Sequence, residues 1–479
     1  MVHTEEREAS QATGSREQQQ DSTAFQGPYY ESEVAEVVAE TPSGPRGVIA
    51  LVDFEEGDTI CRDKALVHMQ GVDSNSKWLK TCANCQRHLS YIDDVISSWL
   101  EIEGKGSDSD EARKLLKTNG IRIPFHAVSD KSEEESNFQS GSFIASEVCP
   151  DSPYKLHFCS ASCKDAILNR SYGRVLCVDP KQRLLDGKDG AVESWTALER
   201  FYAKAADRCD AFVLAARLIC KVIYEVVYGH KEFEQIYARY IGCFNEHAYD
   251  WVGSDAQRDS DLTYAIEQLR CGVRAELFES SSLRNLFTKK SFNHVVGMLT
   301  STIKDLSYNV SNNLAAAIRL KNPAIWPAVL KYASIASGRK LQENLDEFAL
   351  ENLEDPLSDA YLDKITGATL RRFIPSPSLS GLCGKVALLN HSCEPNVSVT
   401  VVDGTTAVIT ALRSIEPGEE LTMSYIEESE PLQDRQSALL EQYGFECACP
   451  KCTKDKEVAA SRVDLFGLAK LAPVSALCT

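Results

Sequence analysis

Seventeen cysteines stand in this chain, and the grouping of a subset of them constrains the fold more than any other feature. Cys447, Cys449 and Cys452 lie in "FECACPKC", a Cys-x-Cys-x-x-Cys array. Three thiolates so close, in a short polar tail that cannot form its own core, suit a tetrahedral zinc lacking one ligand. The attractive fourth donor is Cys393, whose neighbourhood is a polar loop rather than a packed helix face. Cys82 and Cys85 in "CANC" pair with Cys159 and Cys163 in "FCSASC" as a second four-thiolate site. Two zinc ions are therefore expected, the later one tying the tail against the "NHSCEPN" loop.

Other cysteines read differently. Cys149, His157 and Cys177 supply parts of a third set, but their spacing is irregular and one ligand is missing. His88 serves there or is an ordinary surface histidine. Cys61, Cys209, Cys220, Cys243 and Cys271 stand alone among apolar neighbours and are expected in the core. Disulfides are disfavoured, because "MVHTEEREASQATGSREQQQ" has no export-signal pattern.

With 479 residues and 43% hydrophobic content, the chain has room for two or three domains. No apolar run approaches the roughly 18 residues of a membrane span. A net charge of −19 argues against broad binding to nucleic-acid phosphates and suits a basic protein or peptide partner.

Strand signals cluster at the two ends. "AEVVAE", "RGVIALVDF" and "GDTICRD" alternate around Pro and Gly turn formers, and "VSVTVVDGTTAVITAL" is β-branched on both sides of Asp403-Gly404, a hairpin dipeptide. "PGEELTMSY" turns at Pro417-Gly418 into another short strand. Between the ends, segments such as "SWTALERFYAKAADRCDAFVLAARLICKVIYEVV" carry apolar residues at helical spacing. Residues 1–28 read as a disordered tail and about 103–142 as a polar surface insertion. The class is α+β, with β-rich ends around a helical block.

"LLNHSCEPNVSV" places Asn390, His391, Ser392, Cys393 and Asn396 beside an apolar pair, and unpaired buried groups of that kind cost roughly 1 to 3 kcal/mol each. With "ELTMSY" and "YGFECACPKC" downstream and "GPRGVIALVDFEEGDTI" upstream, the chain resembles the SET-domain lysine methyltransferases, most closely the branch with a MYND-type zinc finger inside the SET domain. The resemblance implies a β-rich SET fold from both ends: 29–70 as its first part, 78–180 as a MYND-like finger with the polar insertion, 190–370 as a helical insertion, 371–428 as the catalytic core, 429–456 as a post-SET zinc tail and 457–479 as a C-terminal tail. A complete MYND finger has two zincs, and the second set here is incomplete at Cys149 and Cys177. The helices lie inside the SET insertion rather than after the post-SET cysteines, as in plant and fungal relatives.

The resemblance also implies roles. S-adenosylmethionine is the cofactor, contacted by Arg46 and Gly47, by Asn390 and His391, by Phe445 and by Tyr425, whose phenol sits at the methyl-transfer point. Tyr443 lines the lysine channel. A further cofactor contact from the helical insert is Asn293 or Asn309. The acidic run "EESE" at 427–430 attracts a basic substrate tail or is a solvated face. The substrate is a protein lysine, histones among the candidates, with the nucleus or cytoplasm as compartment and a monomer as the expected state. A non-catalytic scaffold is the alternative. A thiol hydrolase built on Cys393 and His391 is expected to fail, on geometry and because the thiolate is better spent on zinc.

Overall fold

The computed structural model describes residues 34–38, 41, 46–71, 80–87, 89, 144–145, 156–176, 191–244, 254–273, 280–307 and 378–469. The expected tail 1–28, the polar insertion 103–142, residues 308–370 of the expected helical insertion, residues 470–479 of the C-terminal tail, His88, Cys149, Cys177 and Asn309 lie outside them.

The two chain ends interleave strand by strand. β1 (Ala35–Val38) pairs antiparallel with β2 (Gly47–Ala50). β3 (Thr59–Lys64) and β4 (Val67–Gln70) follow. β5 (Ile144–Ala145) and β6 (His157–Phe158) form a small ribbon, and β7 (Ile303–Asp305) follows the described helices of the block. From the far end come β8 (Leu379–Leu382), β9 (Asn390–His391), β10 (Val397–Val401), β11 (Thr406–Ala411) and β12 (Glu420–Met423). The sheets run β1-β2-β12-β9, β10-β11-β3 and β4-β8-β7, so each holds strands from both sides of the helical block.

The hairpin at Asp403-Gly404 forms with four residues between its strands rather than two. Gly404 takes positive φ (73°), and the Asp403 carboxylate accepts the Thr405 N–H at 2.9 Å. Gly418 has φ 88° and leads into β12. That strand leaves its sequence neighbours: it joins β2 antiparallel and β9 in parallel, with Thr422 opposite Asn390 and Met423 opposite His391.

Helices α1 (Ala161–Leu168) and α2 (Gly173–Leu176) follow β6. Among the described residues the block then holds α3 (Ala191–Arg208), α4 (Ala211–Val227), α5 (Phe233–Tyr237), α6 (Asp255–Gly272), α7 (Ser281–Asn285) and α8 (Lys289–Thr302). α4 is buried along most of its length, as its apolar residues require, although Arg217, Lys221 and Glu225 interrupt them. It packs on α8 and β4, and Phe212 meets Phe292 edge-on at 5.5 Å. Arg217 of α4 is 4% exposed, donates to the His68 carbonyl of β4 and lies over the Tyr172 ring at 5.2 Å. The block is thus continuous with the SET-like sheets through one core. Among the described residues no helix is long and apolar enough to cross a membrane.

Cys220 and Cys243 are fully buried, as expected of core cysteines. Cys61 and Cys209 are half-buried against the core, and Cys271 is exposed, a correction to its core assignment. Cys271 falls on the solvent-facing stripe of α6 that also holds the exposed Tyr264 and Glu267, while Gly272 beside it is buried.

Beyond Tyr425 the chain forms α9 (Leu432–Tyr443) and α10 (Pro450–Ala469), two helices that the sequence pattern did not announce. Gly444, φ 75°, terminates α9 with its N–H on the Leu440 carbonyl. The tail also builds the small core that its composition argued against: Cys393, Leu439, Cys447 and Cys452 are buried together, packed by Tyr425, Ile426, Leu432, Tyr443 and Phe445.

Candidate active site and thiolate centres

The "NHSCEPN" segment leaves none of its polar side chains stranded. Asp63 of β3 accepts the N–H groups of Lys385 and Val386 at 2.7 and 2.9 Å, opening the short 3₁₀ turn Val386–Leu388 that aims the chain into β9. The Asn390 amide donates to Thr41 Oγ1 at 3.1 Å, to Glu420 Oε1 at 2.9 Å and to the Arg46 carbonyl. Asn396, 2% exposed, accepts the Thr422 N–H at 2.8 Å and donates to the Glu420 carbonyl at 2.8 Å. His391 Nδ1 accepts the Tyr425 N–H at 3.0 Å, and Nε2 lies 3.3 Å from Cys393 Sγ. Burial, and then the Arg435 charge, lowers the imidazole to about 4, so it is neutral.

Tyr425 stands just beyond β12, where β9 and the tail converge. Its hydroxyl donates to the Leu389 carbonyl at 2.5 Å, and burial, with Tyr443 beside it, pushes the phenol up. Its ring centre is 4.8 Å from that of Tyr443 and 5.3 Å from His391, with Phe445 6.1 Å from His391. Four separately predicted positions, His391, Tyr425, Tyr443 and Phe445, therefore meet in one aromatic corner, His391 buried and the other three half-buried, while Asn390 precedes His391 in β9.

Arg46 reaches the same corner from the other end of the chain. Its guanidinium donates to the Cys243 carbonyl, directly after the π-helical turn Ala238–Gly242 of the helical block. Burial lowers its pKa, and no carboxylate pairs with it among the described residues. The space that a Cβ would need at Gly47 is taken by Thr41 and Glu420, at 2.6 to 2.8 Å, so packing alone demands glycine here. Asn293 lies half-buried in α8.

Both expected thiolate groups assemble. Cys82, Cys85, Cys159 and Cys163 form one, Cys393, Cys447, Cys449 and Cys452 the other, with all sulfurs of each within 4.8 Å of one another. Measured pairs are Cys85–Cys159 at 3.6 Å, Cys159–Cys163 at 3.4 Å and Cys393–Cys452 at 3.5 Å. Disulfide sulfurs lie about 2.05 Å apart. Four sulfurs around zinc at about 2.3 Å stand roughly 3.8 Å apart, so both groups fit that ion in number, chemistry and spacing.

Local sequence explains each arrangement. Ser160 caps α1 by accepting the Cys163 N–H at 3.1 Å, which sets Cys159 and Cys163 one turn apart. Asn84 donates to Cys163 Sγ at 3.4 Å. The His157 carbonyl accepts the Ala83 N–H at 2.7 Å beside this group, and His157 is not among its four ligands. In the second group the Cys449 N–H points to Cys447 Sγ at 3.4 Å, and Arg435 Nη2 lies 3.6 Å from Cys452 Sγ. Arg435, Asp63 and Thr41 were not anticipated; a lone Arg on a mixed helix or an Asp on an alternating strand gives no signal until its partners are known.

The proximity of His391 and Cys393 overturns the geometric objection to a Cys-His pair. The second ground stands: Cys393 belongs to the thiolate group, is 2% exposed and is pushed up by burial.

The chain belongs to the SET domain family, whose model matches residues 45–426. Over 450 residues it is 27% identical to the histone-lysine N-methyltransferase ATXR2 of Arabidopsis thaliana, covering 86% of this chain and 88% of the plant protein. It is 41% identical over 121 residues to the N-lysine methyltransferase SMYD2 of Sus scrofa, 24% of this chain and 28% of that one. A SET and MYND domain-containing protein of Dictyostelium discoideum is 43% identical over 79 residues, 16% of this chain and 15% of the other. The match to the plant protein thus spans nearly the whole chain, while the animal and amoebal matches span under a third of either partner.

Proposed function

We propose that the chain is a protein-lysine methyltransferase that uses S-adenosylmethionine, with Tyr425 at the point of transfer. The observation that carries this reading is Tyr425, whose hydroxyl donates to the Leu389 carbonyl, whose backbone N–H donates to His391 Nδ1 and whose ring is walled by Tyr443, beside the half-buried Arg46 guanidinium, which has no carboxylate partner among the described residues. Arg46 suits the carboxylate of an amino-acid cofactor, because a buried cation without an anion is costly and a carboxylate offsets that cost. Phe445 supplies a ring face for the base, and the segment around Asn390 and His391 walls the pocket. The cofactor, when bound, supplies an electrophilic methyl on sulfur.

The residues of the chain do the rest. A lysine free in water titrates near 10.4 and attacks only when neutral. The apolar walls of Tyr425, Tyr443 and His391 disfavour its charged form, and they hold it in line. The Tyr425 hydroxyl keeps its proton on the Leu389 carbonyl, so its oxygen orients the neutral amine by accepting an N–H rather than by acting as a base.

Histones are the proposed substrates, with the nucleus as the compartment, in keeping with the activity that the plant relative's name states. The overall charge of −19 suits a basic protein partner. A scaffold role has no observation in its favour.

Labelled cofactor, incubated with the purified chain and core histones or a cell extract, is expected to transfer label to protein. Tyr425→Phe is expected to lower kcat about 100-fold, the scale of removing one oriented hydrogen-bonding group at the reacting centre. Absence of cofactor binding by calorimetry would reject the reading.

A further inference from the structure

The proposed reaction leaves Lys304 without a role. It sits in β7 opposite Gly381 of β8, and its amine lies over the Tyr425 ring, 5.4 Å from the centroid. That ring is the one stacked against Tyr443 and His391. Among the described residues no hydrogen bond or ion pair reaches the Lys304 amine. Cys383, which would favour the charged amine as a thiolate, is itself pushed up by burial and stays a neutral thiol. Other lysines differ: Lys204, Lys231 and Lys289 pair with Asp261, Glu225 and Asp259. Lys221, over Tyr240 at 5.9 Å, has Glu225 to favour its charge.

A desolvated amine without a counter-ion releases its proton more easily, and burial does lower the pKa of Lys304. The lone pair so exposed is what methyl transfer requires. An amine fixed in a strand of the same chain also needs no encounter step, and such preorganisation can be worth several kcal/mol.

We propose that Lys304 is a methyl acceptor within its own chain, presented to Tyr425 by β7 where an incoming substrate lysine would otherwise stand. This rests on the methyltransferase reading. The neutral Nζ attacks the sulfonium methyl of S-adenosylmethionine. The N–C bond forms as the S–CH₃ bond breaks, S-adenosylhomocysteine leaves, and the surplus proton on nitrogen passes to water.

The test uses the full chain with methyl-labelled cofactor and no other protein, followed by peptide mapping. Label is expected on Lys304, at a rate per chain that dilution does not change. Lys304→Arg and Lys304→Met are expected to reduce that label to background, while Lys221→Arg keeps it. As a readout without added cofactor, chain isolated from cells is expected to carry methyl at Lys304. Should both Lys304 variants fail to fold, mapping of the wild-type chain still decides. Label confined to other lysines, or rising with chain concentration, overturns the proposal. Labelled histones beside an unmodified Lys304 overturn it and leave the enzyme standing; no label anywhere together with no cofactor binding removes both.

Discussion

Burial holds the Asp63 carboxyl at about 6, above its ordinary value of 3.8, even though two backbone N–H groups oppose the rise. Between those values the folded chain binds the proton more tightly than the unfolded chain. The stabilising contribution is therefore complete below the lower value and is lost as pH climbs through the upper one. The Asp63→Asn variant keeps an oxygen for Lys385 and Val386 but never ionises. Its stability relative to wild type is expected to rise by about 3 kcal/mol from about pH 4 to about pH 7, read from urea midpoints. A flat difference across that range would mean that Asp63 does not titrate in the folded core. The residue matters to the site because it starts the turn that delivers Asn390 and His391, yet in the sequence "TICRDK" it is one polar position of an alternating strand.

Among the elements, α9 carries the heaviest structural duty for its length. Its Arg435 is 2% exposed, and the guanidinium joins the Glu430 carbonyl at 2.5 Å, the Asp455 carboxylate of α10 at 2.8 Å and the Cys452 sulfur. A four-thiolate zinc site carries net negative charge, which an adjacent buried cation stabilises. Arg435→Met is expected to release zinc to a chelator several-fold faster than wild type, followed with a metal-sensitive dye. At the end of the same helix Gly444 sits in the left-handed region with open space around it, so Gly444→Ala meets no clash and costs only backbone strain. About 1 kcal/mol of destabilisation is expected, visible as a lowered Tm. The sequence "EQYGFECACPKC" made the cysteines and aromatics legible, because their chemistry depends on side-chain type and spacing. It did not make α9 and α10 legible, because neither has a clean apolar stripe; both are held by the thiolate group and by Arg435.

On the scale of the whole molecule, two thiolate centres pin distant segments. Native mass spectrometry is expected to find two zinc ions per chain, with Cys393→Ser and Cys82→Ser each losing one. Chelation is expected to abolish cofactor binding before the helical block melts, since Tyr425, Tyr443 and Phe445 pack on the second centre while α4 lies in the main core. Calorimetry alongside far-UV circular dichroism would separate those events. A zinc count of zero would reject the metal reading of both groups.

By itself the sequence determined what depends on residue type at short range: the two sets of four thiols, the β-rich ends around a helical block, and the aromatic and amide residues of "NHSC", "MSY" and "YGF". Tertiary structure alone decided what depends on partners hundreds of residues away. It put Arg46 against Cys243, Asp63 under the turn before Asn390, and Lys304 over Tyr425. It also paired β12 with β9 and β2 instead of with the hairpin that precedes it. Local propensity cannot specify such contacts, because a charged or polar side chain acquires its meaning from burial and from the group it faces, and both exist only once the two ends of the chain have closed on each other.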